Sequence, residues 1–184
     1  MDALEKLAGK VLVTVRDLTL ERKTRWELLK QFPQAFVRRS AFKGVLFLEA
    51  EEDPLGMADK IKQACLDSIG RVTPLLVETE SSHEAVRHSA VEVGLSHVRK
   101  GESFSFRIHK RGSHGLQSPT PDIEREIGAA ILQSLYRRDM LRARVELACP
   151  DVVVVAEVLG PRTAIGIIRS HHQKALRTRE TTGP

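Results

Sequence analysis

The sequence predicts an α+β chain: a βαββαβ unit over residues 1–79, an α/β unit over residues 80–170, and a basic tail over residues 171–184. Three observations carry that division. Apolar runs of strand length alternate with stretches of helical period up to residue 79. Two helix starts are marked by a capping residue followed by proline, Asp53-Pro54 and Thr120-Pro121. Residues 102–111 (ESFSFRIHKR) alternate apolar and polar side chains, the period of a half-buried strand.

Residues 10–16 (KVLVTVR) are apolar on both faces, as a central strand is. Leu20, Leu28 and Phe32 recur at helical spacing, and that helix must stop before Pro33. Residues 35–42 and 45–49 read as strands joined by Lys43-Gly44, a two-residue hairpin signal. After Asp53-Pro54, the residues Met57, Ile61, Ala64, Cys65 and Ile69 share one helix face, and Gly70 stands past the helix end. Residues 71–78 supply a fourth strand. The order βαββαβ is the split-βαβ, ferredoxin-like arrangement. The second unit opens at Ser81 or Ser82, where Ser81-x-x-Glu84 has the spacing of a capping box for a short helix ending near Gly94. In residues 102–111, Phe104, Phe106 and Ile108 point one way; Ser103, Ser105, Arg107, His109 and Arg111 point the other. A turn-rich stretch, 112–121, leads into a helix with Ile123, Ile127, Ala130, Ile131 and Leu135 on its buried stripe. Strands 152–158 and 164–169 flank the loop Gly160-Pro161-Arg162. The tail has no periodicity and is expected to be mobile or to order only on a partner.

Composition narrows the classes. Hydrophobic content of 41% and charged content of 29% exclude wholesale disorder. The longest apolar run, residues 152–156, is far short of the roughly 20 residues that span a bilayer. An N-terminus that carries acids and lacks an apolar core excludes a secretory signal, so a soluble cytoplasmic protein is expected. Cys65 and Cys149 lack nearby histidine partners for a structural zinc site and read as small buried hydrophobes. The net charge is +5, and residues 80–184 hold +4 of it. Between Arg99 and His114, the five bases Arg99, Lys100, Arg107, Lys110 and Arg111 stand against Glu102 alone, which points to a polyanion such as nucleic acid. Arginine outnumbers lysine 19 to 10, a ratio suited to bidentate phosphate contacts.

The sharpest constellation is Arg107, Lys110, Arg111 and His114 around Gly112: a strand end passing into a glycine turn sets backbone N–H groups beside cations, a seat for phosphate. A solvated strand end is the competing reading. Of the seven histidines, His109 and His114 with Lys110 could serve general acid–base cleavage of RNA; none carries the H-x-E or C-x-x-C pattern of zinc deaminases. Nucleotide-binding glycine loops and the G-x-S-x-G elbow are missing. No cofactor or metal is expected. Phe104 and Phe106 face the core, against a base-stacking platform of the RRM type.

The second unit resembles a THUMP domain in three segments that occur in the family's order: GESFSFRIHKRGSH (101–114), PDIEREIGAAI (121–131) and VELACPDVVVVAEVLG (145–160). Gly128, costly inside a helix, is expected to mark close packing there. The resemblance covers residues 80–170, and a ferredoxin-like unit ahead of it is usual in that family. It implies tRNA binding at the acceptor end, with Arg107, Lys110, Arg111, Gly112, Ser113 and His114 as RNA contacts. Arg162 and Arg169 are added from charge and expected proximity. With 184 residues divided between two units and a tail, no catalytic domain is expected. The resemblance then implies a non-enzymatic adaptor presenting tRNA to a separate modifying enzyme, a cytidine N4-acetyltransferase. Two alternatives stand beside it: a small RNA-processing enzyme using the His109/His114 region, and a regulatory ferredoxin-like module binding a small ligand.

Overall fold

The structure, a computed structural model, describes Leu7, residues 9–139 and residues 143–170. The basic tail, 171–184, lies outside the described residues. The elements in chain order are β1 (Val11–Val15), a 3-10 turn (Leu18–Leu20), α1 (Glu21–Gln31), β2 (Phe36–Arg39), β3 (Val45–Glu49), α2 (Pro54–Gln63) and β4 (Ile69–Glu80). Then follow α3 (His83–His97), β5 (Ser103–Arg111), α4 (Thr120–Asp139), β6 (Arg144–Val145), β7 (Val152–Leu159) and β8 (Arg162–Arg169).

Among the described residues the strands form one sheet in the order β2-β3-β1-β4-β8-β7-β5-β6. The pairs are antiparallel except β5 with β6 and β5 with β7. β4 runs through both halves. Its first residues pair with β1, its last with β8, and the register shifts between Leu75 and Val77. At that junction Gly166 leaves no room for a side chain: a Cβ there would lie 1.8 Å from the Pro74 carbonyl oxygen.

Period-2 alternation sorts the core. Val11 and Val13 of β1, with Leu46, Leu48 and Val72, pack under Leu28 of α1 and Met57, Ala58 and Ile61 of α2. Phe104, Phe106 and Ile108 of β5, with the even-numbered residues of β7 from Val152 to Val158, pack under α3 and α4. Leu12, on the other face of β1, joins Val45, Phe47 and Leu75 in a third cluster that also takes in Leu159 and Ala164, so the halves share apolar contact as well as a strand.

Several local expectations are corrected. Asp53 caps α2 through the Leu55 and Gly56 amides, but the helix ends at Gln63, and Ile69 and Gly70 belong to β4. Cys65 consequently leaves the helix in a left-handed conformation (φ 49°) and is exposed, as is Cys149. The cap of α3 is Ser82, accepting from the Ala85 amide, while Ser81 is buried against the Thr163 hydroxyl at 2.8 Å. Gly94 lies within α3, not at its end, and is the helix glycine that packs closely: a Cβ would come 2.7 Å from Ile131. Gly128 has open space beside it. β6 has no counterpart in the sequence pattern, because a two-residue strand carries no readable period.

Candidate nucleic-acid interface

Three chain turns meet at one end of the sheet. The Gly160 amide donates to the Arg111 carbonyl at 2.8 Å, the Ser81 amide to the Pro161 carbonyl at 2.9 Å, and the Gly115 amide to the Ser81 carbonyl at 3.1 Å. These bonds tie the end of β5, the β7–β8 turn and the start of α3 together. Between them lies a hollow of about 450 Å³ lined by Glu80, Ser81, Ser82, Ser113, His114, Gly115 and Pro161. The N-terminus of α3 borders it, and helix N-termini favour anions. The Nδ1 of His114 is buried without a hydrogen-bond partner among the described residues. Glu80 is the one carboxylate of the lining, and it accepts from the Ser82 hydroxyl at 2.7 Å.

Gly112 reaches its turn with φ 74°, a conformation that favours glycine, and a Cβ there would lie 2.8 Å from the Phe42 ring. Phe42 belongs to the β2–β3 hairpin, so the glycine turn is braced by the N-terminal half. Ser113 is exposed. Lys110 is half-buried and its Nζ donates to the Ser118 carbonyl at 2.9 Å.

Arg111, expected to be exposed, is drawn inward. Its guanidinium donates to Glu157 at 2.7 Å; Arg71 donates to the other oxygen of that carboxylate at 2.8 Å, and Glu157 has no solvent exposure. Thr73 adds a bond at 3.3 Å. Arg107 is likewise engaged, with Glu124 and the Leu147 carbonyl, each at 3.0 Å. Glu124 also accepts the Ile108 amide at 3.0 Å, which ties α4 to the backbone of β5. Arg162 opens β8 opposite Leu159, which pairs in turn with Arg111, so it lies at the same sheet end; its guanidinium pairs with Glu78. Arg169 lies at the other end of β8, opposite Val152, and binds Glu102 and the His97 carbonyl. The proximity that grouped Arg169 with the turn therefore does not exist.

His109 is half-buried on the polar face of β5, away from the hollow that His114 lines. Burial pushes its imidazole below its ordinary range; Glu157 opposes the shift, while Arg71 and Arg111 add to it. Sequence reasoning missed Glu157, whose only local sign is that it ends an apolar run. It also missed Ser82, whose capping signal was visible without its place in the site.

Residues 80–167 match the family model described as THUMP domain. They are a THUMP domain. Among curated relatives, an uncharacterized protein of Methanocaldococcus jannaschii is 30% identical over 131 residues, covering 71% of this chain and 32% of that protein. A probable tRNA sulfurtransferase of Methanosarcina acetivorans is also 30% identical, over 70% of this chain and 29% of its own length. A tRNA (guanine(6)-N2)-methyltransferase of M. jannaschii is 34% identical over 38% of this chain and 18% of its own. The chain thus spans about a third or less of the length of these relatives. Two solved structures share the fold. TrmN from Thermus thermophilus has a TM-score of 0.61 at 19% identity, covering 86% of this chain and 45% of that one. A 4-thiouridine synthetase–RNA complex with bound ATP has a TM-score of 0.55 at 21% identity, covering 87% and 41%.

These likenesses correct one expectation. A non-enzymatic adaptor was expected because no catalytic domain was read in the sequence. Two relatives of this chain are named as a sulfurtransferase and a methyltransferase, both enzymes, so the non-enzymatic expectation is not upheld. Among the described residues, no helix is long and apolar enough to cross a membrane.

Proposed function

We propose that this chain binds tRNA and serves a tRNA-modifying reaction, holding the acceptor end at the hollow between the Gly112 turn, the Gly160-Pro161 turn and the N-terminus of α3. The observation that carries this is the convergence of those three turns, locked by backbone hydrogen bonds, on the unpartnered His114 Nδ1 and a helix N-terminus. Lys110, Gly112, Ser113, His114 and Arg162 are the contacts proposed at that end; Arg107 and Arg111 support the strand that presents the turn. Relatives named for sulfur transfer and for methyl transfer resemble one chain, and what those reactions have in common is the tRNA. The N-terminal half, with its split-βαβ strand order, is proposed as a ferredoxin-like spacer that braces the turn through Phe42.

The resemblance read in residues 101–160 adds cytidine N4-acetylation, with an acetyltransferase partner, to the chemistries the chain could serve. Mass spectrometry of tRNA nucleosides from cells lacking the protein separates them. Loss of a thiolated, methylated or acetylated nucleoside names the reaction, and an unchanged profile counts against any role in modification. For the binding site itself, Lys110→Ala with His114→Ala should weaken tRNA binding about tenfold while leaving the urea midpoint within error. Unchanged affinity would move the acceptor end elsewhere.

A further inference from the structure

Arginines of α1 and β2 gather on the outer side of the N-terminal half. Arg22, Arg25 and Trp26 share a face of α1 by their i, i+3, i+4 spacing. Arg38 and Arg39 lie on β2, the outermost strand of the sheet on that side. Arg22, Arg25, Arg38 and Arg39, with Val37, line a hollow of about 590 Å³ that no carboxylate lines. Trp26, the only tryptophan of the chain, is 60% exposed, and the Lys30 ammonium lies 5.0 Å from its ring centre. Phe36, also on β2, is 70% exposed.

Edge strands are often guarded by charge, which would account for Arg38 and Arg39. It does not account for two further arginines and an exposed indole on the adjoining helix. Nor are the arginines used up by the fold. Arg38 reaches Glu49 at 3.3 Å, Arg39 pairs with Glu21, and Arg25 donates to the Val37 carbonyl at 3.3 Å; Arg22 has no partner among the described residues. A guanidinium carries five N–H donors, so Arg22, Arg25 and Arg39 keep most of theirs available. The Arg38 and Arg39 side chains are 59% and 63% exposed. Planar forks on the side that carries the exposed Trp26 ring match a sugar–phosphate backbone, with the ring against a base or sugar.

The hollow is also connected to the proposed acceptor-end site. Glu21, paired with Arg39, accepts the Gly44 amide at 2.8 Å, tying α1 and β2 to the hairpin. That hairpin carries exposed Lys43 and sets Phe42 against Gly112. From Arg22 to Lys30, α1 extends about 12 Å. Duplex RNA facing such a length presents several phosphates, of which four arginines can neutralise about two or three.

We propose that the Arg22/Arg25/Arg38/Arg39 hollow, with Trp26, is a second RNA site that grips the phosphodiester backbone of the same tRNA whose end lies at the Gly112 turn. The inference rests on the tRNA-binding reading and adds a grip in the half of the molecule outside the THUMP domain.

Trp26 reports on this face without any mutation. Saturating the full chain with tRNA should at least halve acrylamide quenching of its fluorescence. Arg22→Glu with Arg38→Glu should weaken tRNA binding about tenfold and flatten the salt dependence of log affinity by about 2. Arg125→Glu with Arg137→Glu makes the same charge change on α4 and should have under a third of that effect. If the wild type binds tRNA while Trp26 stays equally quenchable and the Arg22/Arg38 variant binds as before, the second site is refuted and the tRNA reading stands. Capture of a protein by this face would not rescue the site from that result. Equal weakening by both charge reversals refutes the site too, since net charge alone would then explain it. If the wild type binds no tRNA, both readings fall.

Discussion

Arg111 and Arg71 close on Glu157, a carboxylate removed from water, whereas Arg38 and Arg39 reach Glu49 and Glu21 from the open surface of the N-terminal half. All four are arginine–carboxylate pairs, yet they do different physical work. A buried carboxylate must be matched inside the fold, so Arg71 and Arg111 clamp β4 to β7 and β5 and are committed to structure. A pair on the surface contributes little to stability and leaves its guanidinium able to exchange partners. Charge runs in a sequence therefore do not locate a binding surface until the burial of each partner is known.

Removing the buried carboxylate should break this contrast most severely. Glu157→Ala leaves Arg71 and Arg111 facing each other, with side chains only 28% and 23% exposed, and should cost about 3 kcal/mol in urea unfolding. Arg111→Ala is milder, because Glu157 keeps Arg71 and Thr73; a loss of about 1–2 kcal/mol is expected. A pH series sharpens the picture around His109, whose imidazole is held by burial below the ordinary histidine value of about 6.5. As pH falls below about 6.5 the unfolded chain takes up a proton that the folded chain refuses, so stability should decline until the folded imidazole titrates, then level off. Above that window His109 contributes nothing. His97, lowered by burial and by Arg169, acts in the same direction, so His109→Gln should reduce the decline without abolishing it. On the outer face, Arg22→Ala should shift stability by less than about 0.5 kcal/mol, and a larger loss would show that this arginine belongs to the fold.

Local physics was legible in the sequence. The alternation from Ser103 to Arg111 foretold which side of β5 meets α3 and α4, and Asp53-Pro54 marked the start of α2 within a residue. Lys43-Gly44 marked the β2–β3 connection, where Gly44 has φ 73°, but β2 ends at Arg39, so the loop runs over residues 40–44 and not over two residues. What depended on distant partners was not legible. Glu157 carries no local sign that it will be buried between two arginines. Gly94 read as a helix end and Gly128 as a packing glycine, and only the packing of α3 on α4 at Ile131 reverses the two. Cys65 matched the apolar period of α2, but that helix stops at Gln63, before the period does. In the candidate site, the turn from Gly112 to His114 was read as a seat for phosphate, and that role is a proposal. Its other walls, Ser81-Ser82 and Pro161, come from chain segments far apart in sequence. Arg169 was misplaced because a strand of eight residues separates its ends by more than 20 Å.

Cations at the Gly112 turn and on the outer arginine face are proposed to hold the phosphates of one tRNA. The most direct test is the affinity of the full chain for tRNA measured from low to high salt. If about five phosphates are neutralised, log affinity should fall against log salt with a slope near −4. Tight binding that does not change with salt would contradict this arrangement, because contacts that release no counterions are not made to the backbone.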